Sequence, residues 1–307
     1  MTSAPSSSPN PNHTPITPDL PITTAARLMM AEELATVLDH LPALQSSADV
    51  LAVHETRKAI RRTFTLFKLF APFFAPDVLT PHRLTLRRLM RRLAPCRDLV
   101  VFRQNLAAYN ESATPPLTAL AAHLDARQAK ANARLRRYLK RPKVHKRLQR
   151  YRRFVENPNA GLPPQSDTAA PLLVRHVLPT LIFQRLGAVR AYGDVLPTAT
   201  PAQFHQLRIQ FKELRYTLTY FEDILGGAGS QIIEMTRLIQ EHLGHLNDAS
   251  VALWQLVRMD CCPEEVDAYG AVQANEAARL TAGFYPLYAQ FDRPDVRQVL
   301  ALTVASL

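Results

Sequence analysis

The sequence predicts an all-α protein. From Thr23 onward, apolar residues recur at intervals of three and four along nearly the whole chain, which places them on one face of a helix. No stretch shows the convincing alternation of apolar and polar residues that is typical of a half-buried strand. The chain has 9 glycines among 307 residues, a low content that suits helices better than sheets.

Composition and charge indicate a globular protein with an anionic partner. With 47% apolar and 21% charged residues, the chain can bury one or two sizeable cores. Lysine and arginine number 37 against 26 acidic residues, which gives a formal net charge of +11. Such a charge suits nucleic acid, polyphosphate, an acidic protein or a membrane surface, and it does not choose among them.

The N-terminus and the cysteines bear on location. Residues 1–21 are rich in proline and serine and lack the pattern of a secretory signal, so we expect a disordered tail. No later stretch has the roughly 18 uninterrupted apolar residues of a transmembrane helix, and we expect no membrane partner. Three cysteines form neither a disulfide framework nor a metal motif, which favours a reducing, cytoplasmic compartment.

The first half of the folded region, residues 22–165, is expected to contain four main helices. A proline within a helix removes one backbone hydrogen bond, so Pro95 is expected to interrupt the third of them. The helix that restarts after it has Asp98 in its first turn, where an acid caps the helix or holds a neighbouring arginine. The predicted helices span about 24–41, 47–74, 81–93 with a restart at 96–106, and 117–140.

The second half, residues 166–307, follows a cluster of turn-forming residues at 156–167. Its glycine-rich segment 226–229 is expected to be a flexible connection between two helices. The predicted helices of this half span about 169–195, 205–225, 230–243, 247–258, 264–291 and 293–307.

The helix predicted over 47–74 carries a continuous basic face. At about 100° per residue, His54, Arg57, Lys58 and Arg61 fall on one side, and apolar residues fall on the other. Because Glu55 is the only acid within residues 53–64, the positive charges repel each other unless an anion lies among them. In a lone helix, this pattern would more often be a solvated face. A second basic run, 127–153, is a weaker candidate for the same reason.

The basic pattern occurs twice, which predicts an internal duplication. His54, Arg57 and Arg61 recur at an offset of 151 residues as His205, Arg208 and Lys212. A second pair of segments matches at an offset of 150, with an arginine eleven residues before an aspartate in both. These residues are Arg87 and Asp98 in the first half and Arg237 and Asp248 in the second.

These motifs resemble the CHAD domain, the conserved histidine α-helical domain. The resemblance is carried by His-x-x-Arg-x-x-x-Arg-Arg at 54–62 with Arg-Asp-Leu at 97–99. In the second half it is carried by His-x-x-Arg-x-x-x-Lys-x-x-Arg-Tyr at 205–216 with Leu-Gly-x-x-Asn-Asp-Ala at 243–249. It covers residues 22–307. The resemblance implies two pseudo-symmetric four-helix bundles around a basic central channel, binding of inorganic polyphosphate, and no catalytic activity.

The expected binding residues are basic and come from both repeats. A chain of phosphates needs donors at repeated spacing, and a helical stripe supplies one per turn, about 5.4 Å apart. The family commonly has a basic residue where this chain has Phe64 and a histidine where it has Leu246. The predicted polyphosphate-binding set is His54, Arg57, Arg61, Arg62, Arg87, Arg91, His205, Arg208, Lys212, Arg215 and Arg237.

Other functions have weaker support in the sequence. A zinc-protease motif fails because Lys58 stands where the second histidine would be, and the chain has no glycine-rich phosphate loop. We therefore expect no metal, cofactor or catalytic residue. Two alternatives stay open. The first is an RNA-binding protein, although few aromatic residues on the basic faces could stack on bases and Tyr216 is the main candidate. The second is a basic scaffold for acidic partners. Polyphosphate granules are a further expected partner.

Overall fold

The computed structural model describes residues 15–163 and 170–305, and it confirms the all-α prediction. Within these ranges, one isolated β-bridge, between Pro21 and Leu173, is the extent of β-structure. The α-helices are α1 (Ile22–Asp39), α2 (Leu41–Ser46), α3 (Val50–Phe70), α4 (Thr80–Asn110), α5 (Thr118–Leu139), α6 (Pro142–Glu156), α7 (Val174–Arg190), α8 (Pro201–Tyr220), α9 (Glu222–Leu256), α10 (Pro263–Phe291) and α11 (Pro294–Ala305).

The N-terminal segment makes tertiary contacts before residue 22. Residues 1–14 lie outside the described residues, so the predicted tail is not described there. Ile16, in contrast, is buried, and the backbone N–H of Val174 donates to the carbonyl of Leu20 at 2.9 Å. Residues 15–21 therefore belong to the folded part of the chain, which begins earlier than the predicted boundary at 22.

Helix α3 starts three residues later than predicted, because Asp49 caps it. The side chain of Asp49 accepts a hydrogen bond from the backbone N–H of Ala52 at 2.8 Å, which satisfies one of the free donors of the first turn. Val53, Ile60 and Phe67 are buried along its apolar face. The basic face of α3 is thereby turned away from the core of the first half.

The predicted interruption at Pro95 is wrong, because α4 continues through it. An interior proline costs about 3 kcal/mol through a lost hydrogen bond and a steric clash. Burial of a leucine side chain contributes about 1.5 to 3 kcal/mol, and Leu89, Leu93 and Leu99 are all buried on the two sides of the proline. The packing offsets the local cost, and the continuous helix carries Arg97 and Asp98 into the centre of the molecule.

Residues 226–229 are a kink rather than a flexible connection. Gly226 has φ 61° and ψ −157°, a conformation that favours glycine, and the residues after it are already helical. The two helices predicted at 230–243 and 247–258 are one continuous segment of α9. This segment is long enough to line both the interior of the second half and the boundary between the halves.

The two halves meet at α3, α4, α8 and α9, and also where α1 contacts α7 and α5 contacts α10. Helix α3 packs against α4, and α8 packs against α9, while α3 contacts α8 and α4 contacts α9 across the boundary. A salt bridge of 2.7 Å joins Lys68 of α3 to Glu213 of α8. The basic faces of the two repeats therefore lie toward each other. Among the described helices, none is both long enough and apolar enough to cross a membrane.

Candidate anion-binding cavity

A cavity of about 420 Å³ lies where α3, α4, α8 and α9 meet, and we call it the central cavity. Both predicted repeats contribute to it, since residues at matched positions of the repeated sequence motif line the same space. Among the described residues, its basic lining consists of His54, Arg57, Lys58 and Arg61 from α3, Arg97 from α4, and His205, Arg208, Lys212 and Arg215 from α8.

The structure brings seven of the predicted binding residues into this cavity and leaves four outside it. The seven are His54, Arg57, Arg61, His205, Arg208, Lys212 and Arg215. Arg62 points to α1, where it donates to the carboxylate of Glu33 at 3.3 Å. Arg237 is partly exposed and forms ion pairs with Glu234 and Glu241 of its own helix. Arg87 and Arg91 are exposed on α4.

Several cavity residues were not in the predicted set. Arg97 and Lys58 add positive charge, and Asp98 and Asp248 add the two carboxylates. Signals for Arg97 and Lys58 were present, because Lys58 shares the basic face of α3 and Arg97 precedes the aspartate of the repeated motif. Asn247 occupies the position of Arg97 in the second repeat, so the duplication marked it as well.

Arg57 is a buried cation with incomplete pairing. Its side chain is 7% exposed, and one guanidinium nitrogen lies 3.4 Å from the carboxylate of Asp98, as expected for an aspartate that holds an arginine. Its Nε and Nη1 make no hydrogen bond with any residue that the structure describes. Burial, reinforced by the charge of Arg61, lowers the pKa of Arg57 to about 10. The guanidinium still carries its charge at neutral pH, with two donors available.

On the opposite wall, Asn247 orients Arg208 and His205. Its side-chain oxygen accepts a hydrogen bond from Arg208 Nη1 at 3.2 Å, and His205 Nδ1 lies 3.1 Å from the same oxygen. The buried Nε of Arg208 has no hydrogen-bond partner among the described residues. Burial is the main cause that lowers the pKa of Arg208, and Arg61 adds to it. Arg208 thus lines the cavity with a buried donor that lacks a partner among the described residues, as Arg57 does on the other side.

Among the cavity residues, Lys212 has the most strongly shifted pKa. Burial lowers its pKa to about 6, and the guanidinium groups of Arg208 and Arg61 push in the same direction against the opposing effect of Asp248. The pKa of His54 is also lowered, first by burial and then by Arg97. At neutral pH, both groups are therefore mostly deprotonated before any anion enters.

The balance of charge in the central cavity is strongly positive. Among its described lining residues are seven lysines and arginines and two aspartates, Asp98 and Asp248. Burial raises the pKa of Asp98, while Arg57 and Arg61 oppose that rise. Buried like charges at such density are costly without a counterion. The arrangement suits an anion that offers many oxygen acceptors within a small volume.

The family was established by comparison of the sequence. A sequence model described as the CHAD domain matches residues 28–256. The chain belongs to the CHAD domain family. This confirms the resemblance that the histidine and arginine motifs indicated. A comparison with curated proteins found no match.

Two solved structures are similar to this CHAD domain in fold. The crystal structure of the CHAD domain from the plant Ricinus communis has a TM-score of 0.67 at 18% identity and covers 96% of each chain. PptA from Streptomyces chartreusis has a TM-score of 0.68 at 16% identity and covers 88% of this chain and 100% of its own. Because the first of these matches covers 96% of the chain, the shared fold extends beyond residue 256, where the sequence match ends.

Proposed function

We propose that this CHAD domain binds inorganic polyphosphate in the central cavity, without catalysing a reaction on it. The observation that carries the proposal is a pair of arginines on opposite walls, Arg57, which is buried, and Arg208, which is partly buried. Each keeps at least one donor nitrogen without a partner among the described residues. Phosphate oxygens are strong acceptors for guanidinium donors, and a chain of phosphates offers them at every step.

The two facing walls of the cavity suit a linear polyanion. One wall presents Arg57 and Arg61 on successive turns of α3, and the other presents Arg208 and Lys212 on successive turns of α8. A polyphosphate that passes between them meets cations from both sides. The proposal also includes a cytoplasmic location and a role in targeting to polyphosphate granules.

The alternative of RNA binding has less support in the cavity. Tyr216, the aromatic residue best placed in the basic motif, is 5% exposed. Its ring lies between the guanidinium groups of Arg62 and Arg215, at 5.6 and 5.4 Å from its centre. A base cannot stack on a ring that is already covered in this way. An acidic protein partner would likewise need an open basic surface rather than a cavity.

Replacement of Arg61 tests the proposal most cleanly. Arg61 lines the cavity, and its side chain makes no hydrogen bond or ion pair with any described residue, whereas the side chain of Arg57 also holds Asp98. A charge-assisted contact contributes about 1.5 to 3 kcal/mol, so Arg61→Ala should weaken polyphosphate binding by about tenfold to more than a hundredfold. Calorimetric titration with polyphosphate fractions of graded length measures the effect.

Arg134→Ala is the matched control, because Arg134 is an exposed arginine of α5 outside the cavity. Its effect should stay near the range of an exposed ion pair, at most about 1 kcal/mol. Equal losses in the two variants would mean that diffuse surface charge collects the ligand. A competition titration adds the second arm: if RNA displaces polyphosphate at equal phosphate concentration, the cavity is not selective for polyphosphate.

A further inference from the structure

A second, mostly apolar pocket of about 370 Å³ adjoins the central cavity, and we call it the lateral pocket. The two share His205, Arg208, Asn247 and Val251 as lining residues. His205 and Arg208, which form one side of the central cavity, therefore also form one wall of the lateral pocket. A ligand can place phosphates on Arg208 and His205 while another part of the same molecule occupies the apolar space.

The lateral pocket has aromatic walls. Phe204 lines it from α8, and Trp254 lines it from α9 with 59% of its surface exposed. The guanidinium of Arg258 lies 3.8 Å from the centre of the indole and donates to the carbonyl of Trp254 at 2.8 Å, so it supports the ring from outside the pocket. An exposed tryptophan held beside an apolar pocket is well suited to contact a flat ring.

Two hydroxyl groups make the pocket more suitable for a nucleobase than for an aliphatic chain. Ser250 donates to the carbonyl of Leu246 and Thr281 donates to the carbonyl of Ala277, each at 2.8 Å. Because their hydrogens are already used, the oxygens of these two lining residues are left as acceptors for a ligand. An exocyclic amino group of a base could donate to them, whereas an alkyl chain could not.

From this geometry we propose that this CHAD domain also binds nucleoside polyphosphates, with the phosphates in the central cavity and the base in the lateral pocket beside Trp254. The phosphate end rests on the proposed function, since it uses Arg208 and His205 of the same site. The base end is independent of it. Base stacking on an aromatic side chain typically changes affinity by about fivefold to a hundredfold, so ATP should bind about tenfold more tightly than inorganic triphosphate.

The sequence contains one tryptophan, so intrinsic tryptophan fluorescence reports on Trp254 alone. ATP should quench this emission in a saturable way, and inorganic triphosphate should change it far less. Calorimetry should show that Trp254→Ala removes the tenfold advantage of ATP and leaves the affinity for inorganic triphosphate unchanged. Ala277→Leu, which narrows the pocket without removing the ring, should have the same effect. Leu238→Ala, at another exposed apolar residue of α9, should change nothing.

Equal affinity of ATP and inorganic triphosphate overturns the inference, as does an advantage of ATP that survives in both pocket variants. Tighter binding of geranyl diphosphate than of ADP overturns the assignment to an aromatic base. The proposed function has a separate readout in the same protein preparation. If long inorganic polyphosphate binds and ATP has no advantage, the inference fails alone; if long polyphosphate does not bind, the proposed function fails.

Discussion

At the scale of single residues, the central cavity combines buried cations whose own partners satisfy them only in part. Arg57 and Arg208 keep donors without a partner among the residues that the structure describes. Lys212 gives up its proton near neutral pH because burial and two arginines disfavour its charge. An anion in the cavity would reverse that preference, because nearby opposite charge raises the pKa of an amine. Binding and protonation are thus coupled.

Binding of polyphosphate should take up protons above about pH 6. Lys212 has a pKa of about 6 in the free protein, so it is mostly neutral at higher pH and becomes charged in the complex. Affinity should therefore rise as pH falls from about 8 toward 6, and Lys212 should add no further dependence below its free pKa. Calorimetry in buffers of different ionisation enthalpy counts the protons.

Lys212→Met keeps most of the length of the side chain and removes its charge. It should reduce the uptake by up to one proton per complex. His54, whose pKa is also lowered in the free cavity, supplies the remaining uptake, and His54→Gln isolates that part. If the wild type takes up no protons, or if Lys212→Met takes up as many as the wild type, Lys212 does not meet the anion.

The spacing of the repeated motif predicted which residues line the central cavity, but it did not predict the contacts of every basic residue. The positions of histidine, +3 and +7 all face the cavity, because a helix holds these residues on one side. Arg62 lies outside the cavity because one further residue turns it by about 100° around the helix. Its partner Glu33 lies on a different helix that no local pattern identifies. The sequence does indicate the partners of Arg237, since Glu234 and Glu241 lie at i−3 and i+4 of the same helix.

At the scale of helices, Glu33 ties α1 to α3 and α8. Its carboxylate accepts hydrogen bonds from Arg62 at 3.3 Å and from the hydroxyl of Tyr220 at 2.6 Å, and its side chain is 5% exposed. Burial raises the pKa of Glu33, an effect that Arg62 and Tyr220 oppose. This cluster lies beside the cavity and holds the three helices in place.

Two neighbouring arginines should consequently have opposite roles. Arg62→Ala leaves the buried carboxylate of Glu33 without its cation and should lower the free energy of unfolding by about 3 kcal/mol, with little effect on polyphosphate affinity. Arg61→Ala should weaken binding and leave stability unchanged or higher, because it removes a repelling charge. Urea denaturation and calorimetry on both variants measure the two effects.

Glu33→Gln introduced into the Arg62→Ala variant should recover part of the lost stability, because it removes the uncompensated charge. If Arg62→Ala weakens polyphosphate binding as strongly as Arg61→Ala does, Arg62 meets the ligand, and its original assignment to the binding set is correct.

Local sequence signals also misjudged two helices. A proline normally ends a helix, yet α4 passes Pro95 because buried leucines on both sides hold the two parts in line. Several glycines normally mark a loop, yet only the geometry of Gly226 departs from the helix within 222–256. In both cases, packing between distant segments outweighed the preference of the local residues, and such packing cannot be read from one stretch of sequence.

At the scale of the whole molecule, the two halves surround one cavity but differ at its ends. In the first half, Arg87 and Arg91 precede Asp98 by eleven and seven residues, so they lie on the same face of α4 as Asp98. In the second half, the matched positions hold Arg237 and Glu241, which pair with each other. Among the described residues, the basic face next to the cavity is therefore continued on α4 by arginines without an ion pair, and on α9 by an arginine that is paired.

A long polyphosphate should leave the central cavity along α4. Arg91 lies about 10 Å and Arg87 about 16 Å from Asp98 along the helix axis, so only chains that extend beyond the cavity can reach them. Arg87→Ala and Arg91→Ala should each leave the affinity for short chains unchanged and weaken binding of long chains by at most about fivefold, since exposed contacts are screened. Arg237→Ala is the control from the matched position of α9, where Glu234 and Glu241 already neutralise the guanidinium, and it should affect neither length class. Calorimetric titrations with short and long polyphosphate fractions measure these effects. An equal effect of Arg91→Ala on both fractions would place Arg91 at the cavity itself. If Arg237→Ala weakens binding of long chains as much as Arg91→Ala does, long chains do not prefer α4 over α9.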